Sequence, residues 1–163
     1  METTISELRR DLLAVDGKAA DPNAELIRLN RRIASETADA CFAGIGENGH
    51  FAFNDPPADF ETEEPFILLE LDDACRRQQV GEGWFETFDD VPSHAISMST
   101  HQMMSSEKLI LSVSGTEKAK AILDVVEDPI TNIHPASIIR DHGDCSLHLD
   151  PAAAAMLSKD RPE

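Results

Sequence analysis

His50 is the side chain of this sequence best suited to moving a proton near neutral pH, because an unperturbed imidazole titrates in that range. It lies within the stretch Gly44-Ile45-Gly46-Glu47-Asn48-Gly49-His50-Phe51-Ala52-Phe53-Asn54-Asp55-Pro56-Pro57. Asp55, five residues on, can orient the ring or stabilise its charged form, and Asn48 adds a polar neighbour. Glycine lets the backbone come close to a ligand, and the two prolines stiffen the way out of the loop. By residue type alone, a Gly-x-Gly with a nearby histidine also describes an ordinary tight turn. It is no dinucleotide fingerprint, since Asn54-Asp55-Pro56-Pro57 interrupts the helix that should open after the glycines.

Lys118, soon after Ser114-Gly115-Thr116, offers a compact ammonium that suits a phosphate, although the same residue reads equally as a solvated first-turn lysine. Arg76 and Arg77 read as surface charges. His142, Asp144, Cys145, His148 and Asp150 invite a metal reading, but in a strand from Cys145 the side chains of Cys145 and His148 point to opposite faces. No metal site is therefore assigned.

These residues must be positioned by a regular scaffold. Ile5, Leu8, Leu12 and Leu13 recur at helical spacing before a turn-rich stretch, and Asp21-Pro22 caps a second amphipathic helix carrying Leu26, Ile27, Leu29 and Ile33. Residues 40–45 are apolar on both faces and predict a strand buried on both sides in a parallel sheet. Residues 66–71, 95–98, 109–113 and 145–149 predict further strands. Helices are expected from Ala74 to Val80, capped by Asp72-Asp73, and on the pattern Ala119, Ile122, Leu123, Val126. A short alanine-rich helix is expected over residues 151–157, with a polar tail over 158–163. Alternating strands and helices argue an α/β fold, one domain over residues 1–157, with an open and largely parallel sheet covered by helices on both faces. The histidine then stands at the carboxyl edge, where such sheets bind ligands.

With 31 acidic against 14 basic residues the formal charge is -17, which repels nucleic-acid and lipid phosphates. Neither nucleic acid nor a membrane is an expected partner. The acidic surface suits an ordinary acidic enzyme or one adapted to high salt. Three widely spaced cysteines, Cys41, Cys75 and Cys145, suggest no disulfide framework and fit a reducing cytoplasm.

The full string around His50 resembles the signature of the glucosamine-6-phosphate deaminase (isomerase) family. The likeness continues through Ala20-Asp21-Pro22, the segment from Cys75 to Phe85, Ala95-Ile96-Ser97-Met98, Ser114-Gly115-Thr116-Glu117-Lys118-Ala119 and Pro135-Ala136-Ser137-Ile138, in the family's order. The resemblance implies a Rossmann-like fold and conversion of glucosamine 6-phosphate to fructose 6-phosphate and ammonium, by ring opening and isomerisation without a cofactor. It implies that His50 is the ring-opening acid/base, with Asp55 where the family usually has glutamate and Asn48 where some members have aspartate. Gly44, Gly49 and Ala52 would line the sugar, and Lys118 would contact its phosphate.

The resemblance also implies an absence. Family members begin with βα units carrying a Gly- and Ser/Thr-rich phosphate loop, followed by an Asp-Glu pair whose aspartate moves the proton between sugar carbons. Neither is found here, so the chain is expected to correspond to the C-terminal portion, to be inactive alone, and to leave a sheet edge open for a homo-oligomer or a complementing N-terminal fragment. Two rivals stand beside this. One is a 6-phosphogluconolactonase-like hydrolase, whose histidine is typically followed by Thr-Ala-Ser rather than Phe51-Ala52-Phe53. The other is a non-catalytic sugar-phosphate-binding remnant.

Overall fold

The computed structural model describes residues 12–158. The elements in chain order are α1 (Pro22–Ile33), β1 (Cys41–Ala43), β2 (Phe66–Glu70), α2 (Asp73–Gly81), β3 (His94–Met98), α3 (Thr100–Met104), β4 (Leu109–Val113), α4 (Ala119–Glu127) and β5 (Cys145–Leu149). A 3-10 segment, Pro135–Asp141, joins α4 to β5.

Strand β4 is the centre of the molecule. It pairs in parallel with β1 on one side and with β5 on the other, in a register that aligns Cys41, Leu109 and Cys145. Leu109, Leu111 and Val113 alternate onto one buried face, as a strand period of two requires. Ile122 and Val125, three residues apart on α4, are fully buried and join the same core cluster. Ala136 and Ile139 of the 3-10 segment complete that layer.

The helix starts follow from capping chemistry. Asp21 accepts from the Asn23 and Ala24 amides ahead of α1, and Asp72 accepts from the Cys75 amide at 2.7 Å ahead of α2. Arg76 is a structural residue of α2, donating to the Phe88 and Val91 carbonyls while its guanidinium lies 4.0 Å from the Phe88 ring centre.

Four expectations need correction or relocation. The parallel sheet is present as β1, β4 and β5, but β2 and β3 stand outside it as their own antiparallel pair, Phe66 opposite Met98 through Glu70 opposite His94. Apolar runs carry no orientation, so this lay beyond the sequence pattern. Strand β1 is not buried on both faces. Among the described residues it is an edge strand paired with β4 alone, and Phe42 at its middle is 77% exposed. Residues 151–157 form successive turns rather than a helix: Asp150 accepts the Ala153 amide at 2.7 Å as a helix cap would, but the bonds that follow close short turns at Ala155 and Leu157. The helix expected around Ile5 and Leu8 lies outside the described residues, with Leu12 and Leu13 in irregular chain just after it. Of the 158–163 tail, Ser158 alone is described, and it bonds the Glu127 carboxylate through both amide and hydroxyl.

If the β4/α4 contact organises the core, Ile122→Ala should destabilise the chain by about 2–5 kcal/mol, read as a lower urea midpoint with an unchanged slope.

Candidate active site

Residues 44–57 leave β1 at the carboxyl edge of the parallel sheet and fold back on themselves. Phe51 has no exposed surface and bridges both Ile45 and Asn54, so it anchors the turn in the core. Asn54, 2% exposed, donates through Nδ2 to the carbonyls of Phe51 at 2.6 Å and Met98 at 2.9 Å, tying the turn to β3. The Phe53 amide donates to Ser97 Oγ at 3.1 Å, a second tie to the same strand. Separate sheets are thus joined by the turn that carries His50.

His50 lies with its ring directly over Gly46. A Cβ built on Gly46 would stand 2.1 Å from the imidazole Cε1 and 2.2 Å from Nε2, so only glycine leaves the ring its seat. Asn48 caps the turn by accepting the His50 amide at 3.0 Å and donating to Asp55 Oδ1 at 3.1 Å. Asp55 Oδ1 is also 3.2 Å from His50 Nδ1, near enough for charge pairing but off the line of a well-directed hydrogen bond. His50, Asn48 and Asp55 therefore form one cluster, with Nε2 left to meet a ligand.

Burial alone would raise the Asp55 pKa, but contacts from His50 and Asn48, with a weaker one from the Cys75 thiol, outweigh it and hold the carboxyl below its ordinary value. The buried Cys75 thiol is pushed up to about 12, first by desolvation and then by the charge of Asp55, so it stays neutral beside that carboxylate.

A cleft of about 660 Å³ opens beside this cluster. Gly44, Gly46, His50, Ala52, Gln78 and Lys118 are among the residues that line it. Ala52 is a non-glycine residue at φ 54°, a left-handed conformation that costs of order 1 kcal/mol or more and is held by the surrounding turn. The Lys118 side chain, part of the cleft lining, is 16% exposed, and its Nζ lies 4.0 Å from Glu47 Oε1. Its turn is clamped from β5: the Gly115 amide, at φ 101°, donates to both carboxylate oxygens of Asp150 at 3.3 and 3.2 Å.

Of the residues singled out by sequence, His50, Gly44, Ala52 and Lys118 meet at the cleft, with Asp55 and Asn48 behind His50. Gly49 does not line it. At φ 81° it makes the turn and faces His134 and Val125, while its carbonyl accepts the Ala136 amide at 3.0 Å. Gly46, Asn54, Cys75, Ser97 and Asp150 were not assigned roles from sequence. Gly46 alone carried a readable signal, a second glycine four residues before the histidine. His142, from the late polar cluster, instead faces the Ser106 carbonyl at 2.9 Å.

No family model matches the chain. It is 37% identical over 152 residues to a glucosamine-6-phosphate deaminase of Lacticaseibacillus paracasei, a match covering 92% of this chain and 62% of that protein. A deaminase of Lactobacillus delbrueckii subsp. bulgaricus is 38% identical over 144 residues, covering 87% and 59%. Among solved structures, a monomeric glucosamine-6-phosphate deaminase superposes with a TM-score of 0.80 at 30% identity, covering 88% of this chain and 58% of that one. The 6-phosphogluconolactonase of Trypanosoma brucei superposes with a TM-score of 0.64 at 16% identity, a likeness of fold alone. The chain spans about three fifths of the length of the curated relatives it matches.

Two outcomes test the cluster. Gly46→Ala should displace the imidazole, seen as a changed His50 ring shift by NMR with the fold retained. Since the folded Asp55 pKa lies below its unfolded value of 3.8, its contribution is fully present above that value and is lost as pH falls through the lower folded one. The urea stability gap between wild type and Asp55→Asn should accordingly be open at pH 6 and narrow below about pH 3.8.

Proposed function

We propose that this chain, which resembles a three-fifths portion of the glucosamine-6-phosphate deaminases, binds glucosamine 6-phosphate in the cleft beside β1 and opens its ring there. The observation carrying this reading is that one imidazole and one ammonium, His50 and Lys118, line a single cleft together with Gly44 and Ala52.

In this reading Lys118 takes the phosphate, as a compact cation at the end of the cleft. His50 Nε2 takes the proton from the anomeric hydroxyl and returns it to the ring oxygen, which opens the pyranose. Asp55, paired with Nδ1, favours the tautomer that leaves Nε2 free as a base and steadies the imidazolium formed in transit. Asn48 holds both partners in place, and its neutrality leaves Asp55 as the single carboxylate in contact with the ring among the described residues.

Isomerisation requires a further base to carry a proton between adjacent carbons. Among the described residues that line the cleft there is no carboxylate, and Glu47 beside Lys118 stands outside the lining. Binding and ring opening are therefore assigned to this chain, and completion of the deaminase reaction to a group from elsewhere. Loss of one acid/base group commonly costs about 10² to 10⁴ in rate.

Calorimetry with glucosamine 6-phosphate and an ammonium-release assay test this together. The 163-residue chain should bind the sugar phosphate and release no ammonium. Lys118→Met should weaken binding by about tenfold or more, the effect of losing a charge-assisted contact. Absence of binding, or binding indifferent to Lys118→Met, would sink the proposal, and ammonium release lost on His50→Ala would show that no outside base is needed.

A further inference from the structure

Lys118 already has an anionic neighbour. Its Nζ lies 4.0 Å from Glu47 Oε1, and the two residues stand on separate pieces of hydrogen-bonded backbone. Glu47 is at the tip of the turn that seats His50, where the Gly46 amide donates to the His50 carbonyl at 3.1 Å and the Gly49 amide to the Gly46 carbonyl at 3.1 Å. Lys118 ends the 3-10 turn Thr116–Lys118 ahead of α4, its amide donating to the Gly115 carbonyl at 3.2 Å. Both backbones are held, so the contact can open only by movement of the side chains. At this separation, with the Glu47 side chain 52% exposed, water screens the pair and the partners exchange at small cost.

A second cavity gives the Glu47 side chain somewhere to go. It measures about 610 Å³, has Glu47, Asn48, Arg77 and Glu82 in its wall, and shares Gln78 with the cleft. Lys118 lines the cleft and Glu47 lines this neighbour, so the ion pair spans the boundary between the two. Arg77, which pairs with Asp73 at 3.2 Å, offers a second cation on the far side. Glu82 is placed differently. Its carboxylate accepts Gln78 Nε2 at 2.7 Å and Trp84 Nε1 at 3.1 Å, which makes it a fixed charge near Lys118 rather than a movable one. Among the described residues, Glu47 is the carboxylate within ion-pair distance of Lys118.

We infer that Glu47 is an exchangeable counter-ion of Lys118, an internal competitor that an incoming phosphate displaces, and that it sets how tightly the cleft holds phosphate esters. The inference deepens the reading above and rests on it for Lys118 as the phosphate cation. A phosphomonoester carries about -1.5 to -2 charges at neutral pH and three acceptor oxygens, against the single charge of Glu47. It therefore wins the exchange where a singly charged anion, such as the carboxylate of a sugar acid, does not. The displaced side chain turns into the second cavity towards Arg77. Glu47 thus acts on affinity and selectivity through Lys118, without touching the sugar.

The test needs no turnover. Binding of glucosamine 6-phosphate and of inorganic phosphate is measured at low salt by NMR titration, which follows weak as well as tight binding, for the full chain, Glu47→Gln, Lys118→Met and the double variant. Glu47→Gln keeps the side chain's size and removes its charge, and should tighten both ligands by about two- to fivefold, the range of a screened ion pair. In the Lys118→Met background the same change should have no effect. Glu107→Gln removes an equal charge from an exposed position just before β4, at the opposite edge of the sheet, and should leave binding unchanged. In the ligand-free protein the Lys118 ammonium resonance should shift on Glu47→Gln, which reads the pair itself. Unchanged or weaker binding by Glu47→Gln, tightening that persists in Lys118→Met, equal tightening by Glu107→Gln, or an unmoved ammonium resonance would each overturn the inference and leave the proposed function standing. Binding indifferent to Lys118→Met would bring down both together.

Discussion

Phe51 sets the geometry on which the candidate site depends. The ring is fully buried against the core that β4 and α4 share, and neighbouring side chains in an extended turn point to opposite sides. Burying Phe51 therefore fixes the turn that seats His50 at the cleft. The apolar area involved is large enough, at about 25 cal/mol per Å², for a single aromatic residue to outweigh the strain of Ala52 next to it. Asn54 secures the arrangement from the far side by bonding both the Phe51 and Met98 carbonyls. The imidazole is thus aimed by the packing of its neighbour, and Gly46 supplies the space in which it settles.

Electrostatics then divide the labour among groups of similar chemistry. The protein is crowded with carboxylates, yet among the described residues Asp55 is the one against the imidazole, and its charge is favoured by the Asn48 amide that donates to it and by the nearby ring. Cys75 approaches the same carboxylate as a neutral thiol, because burial and that very charge oppose its ionisation. Lys118 is held apart from this cluster by a different element and a different clamp, the Gly115 to Asp150 bonds. Separation of the proton-handling group from the cation is what gives the cleft two chemically distinct ends.

Much of this could be read from the chain. Asp21 and Asp72 announced α1 and α2 because capping is local chemistry, and the alternation of Leu109, Leu111 and Val113 announced β4 because burial on one face is written with period two. The residues at the polar end of the cleft were legible because a run of glycines, a histidine and a carboxylate lies in one continuous stretch. What escaped depends on partners far away in sequence. The antiparallel pairing of β2 with β3 is a matter of strand direction, which composition does not encode. The exposure of Phe42 reflects which strand lies beside β1 and not the character of its own residues. Gly49 looked like its neighbouring glycines, and its turn towards His134 follows from contacts with a segment eighty-odd residues later. The alanines after Pro151 have high helix propensity and Asp150 caps them, yet the chain closes short turns at Ala155 and Leu157, and local propensity did not foretell this.

The clamp on the Lys118 turn also imposes an order on how the protein comes into being. Chains emerge from the ribosome in sequence, at about 5–20 residues per second, so the turn bearing His50 is available early while the carboxylate that fixes Gly115 arrives with β5, the last strand among the described residues. Until then the central strand β4 also waits for one of its two neighbours. The imidazole also waits on later chain, since Phe51 beside it is buried by β4 and α4 and the Gly49 carbonyl is met by the Ala136 amide, so both chemical groups of the cleft are fixed only as the C-terminal half arrives.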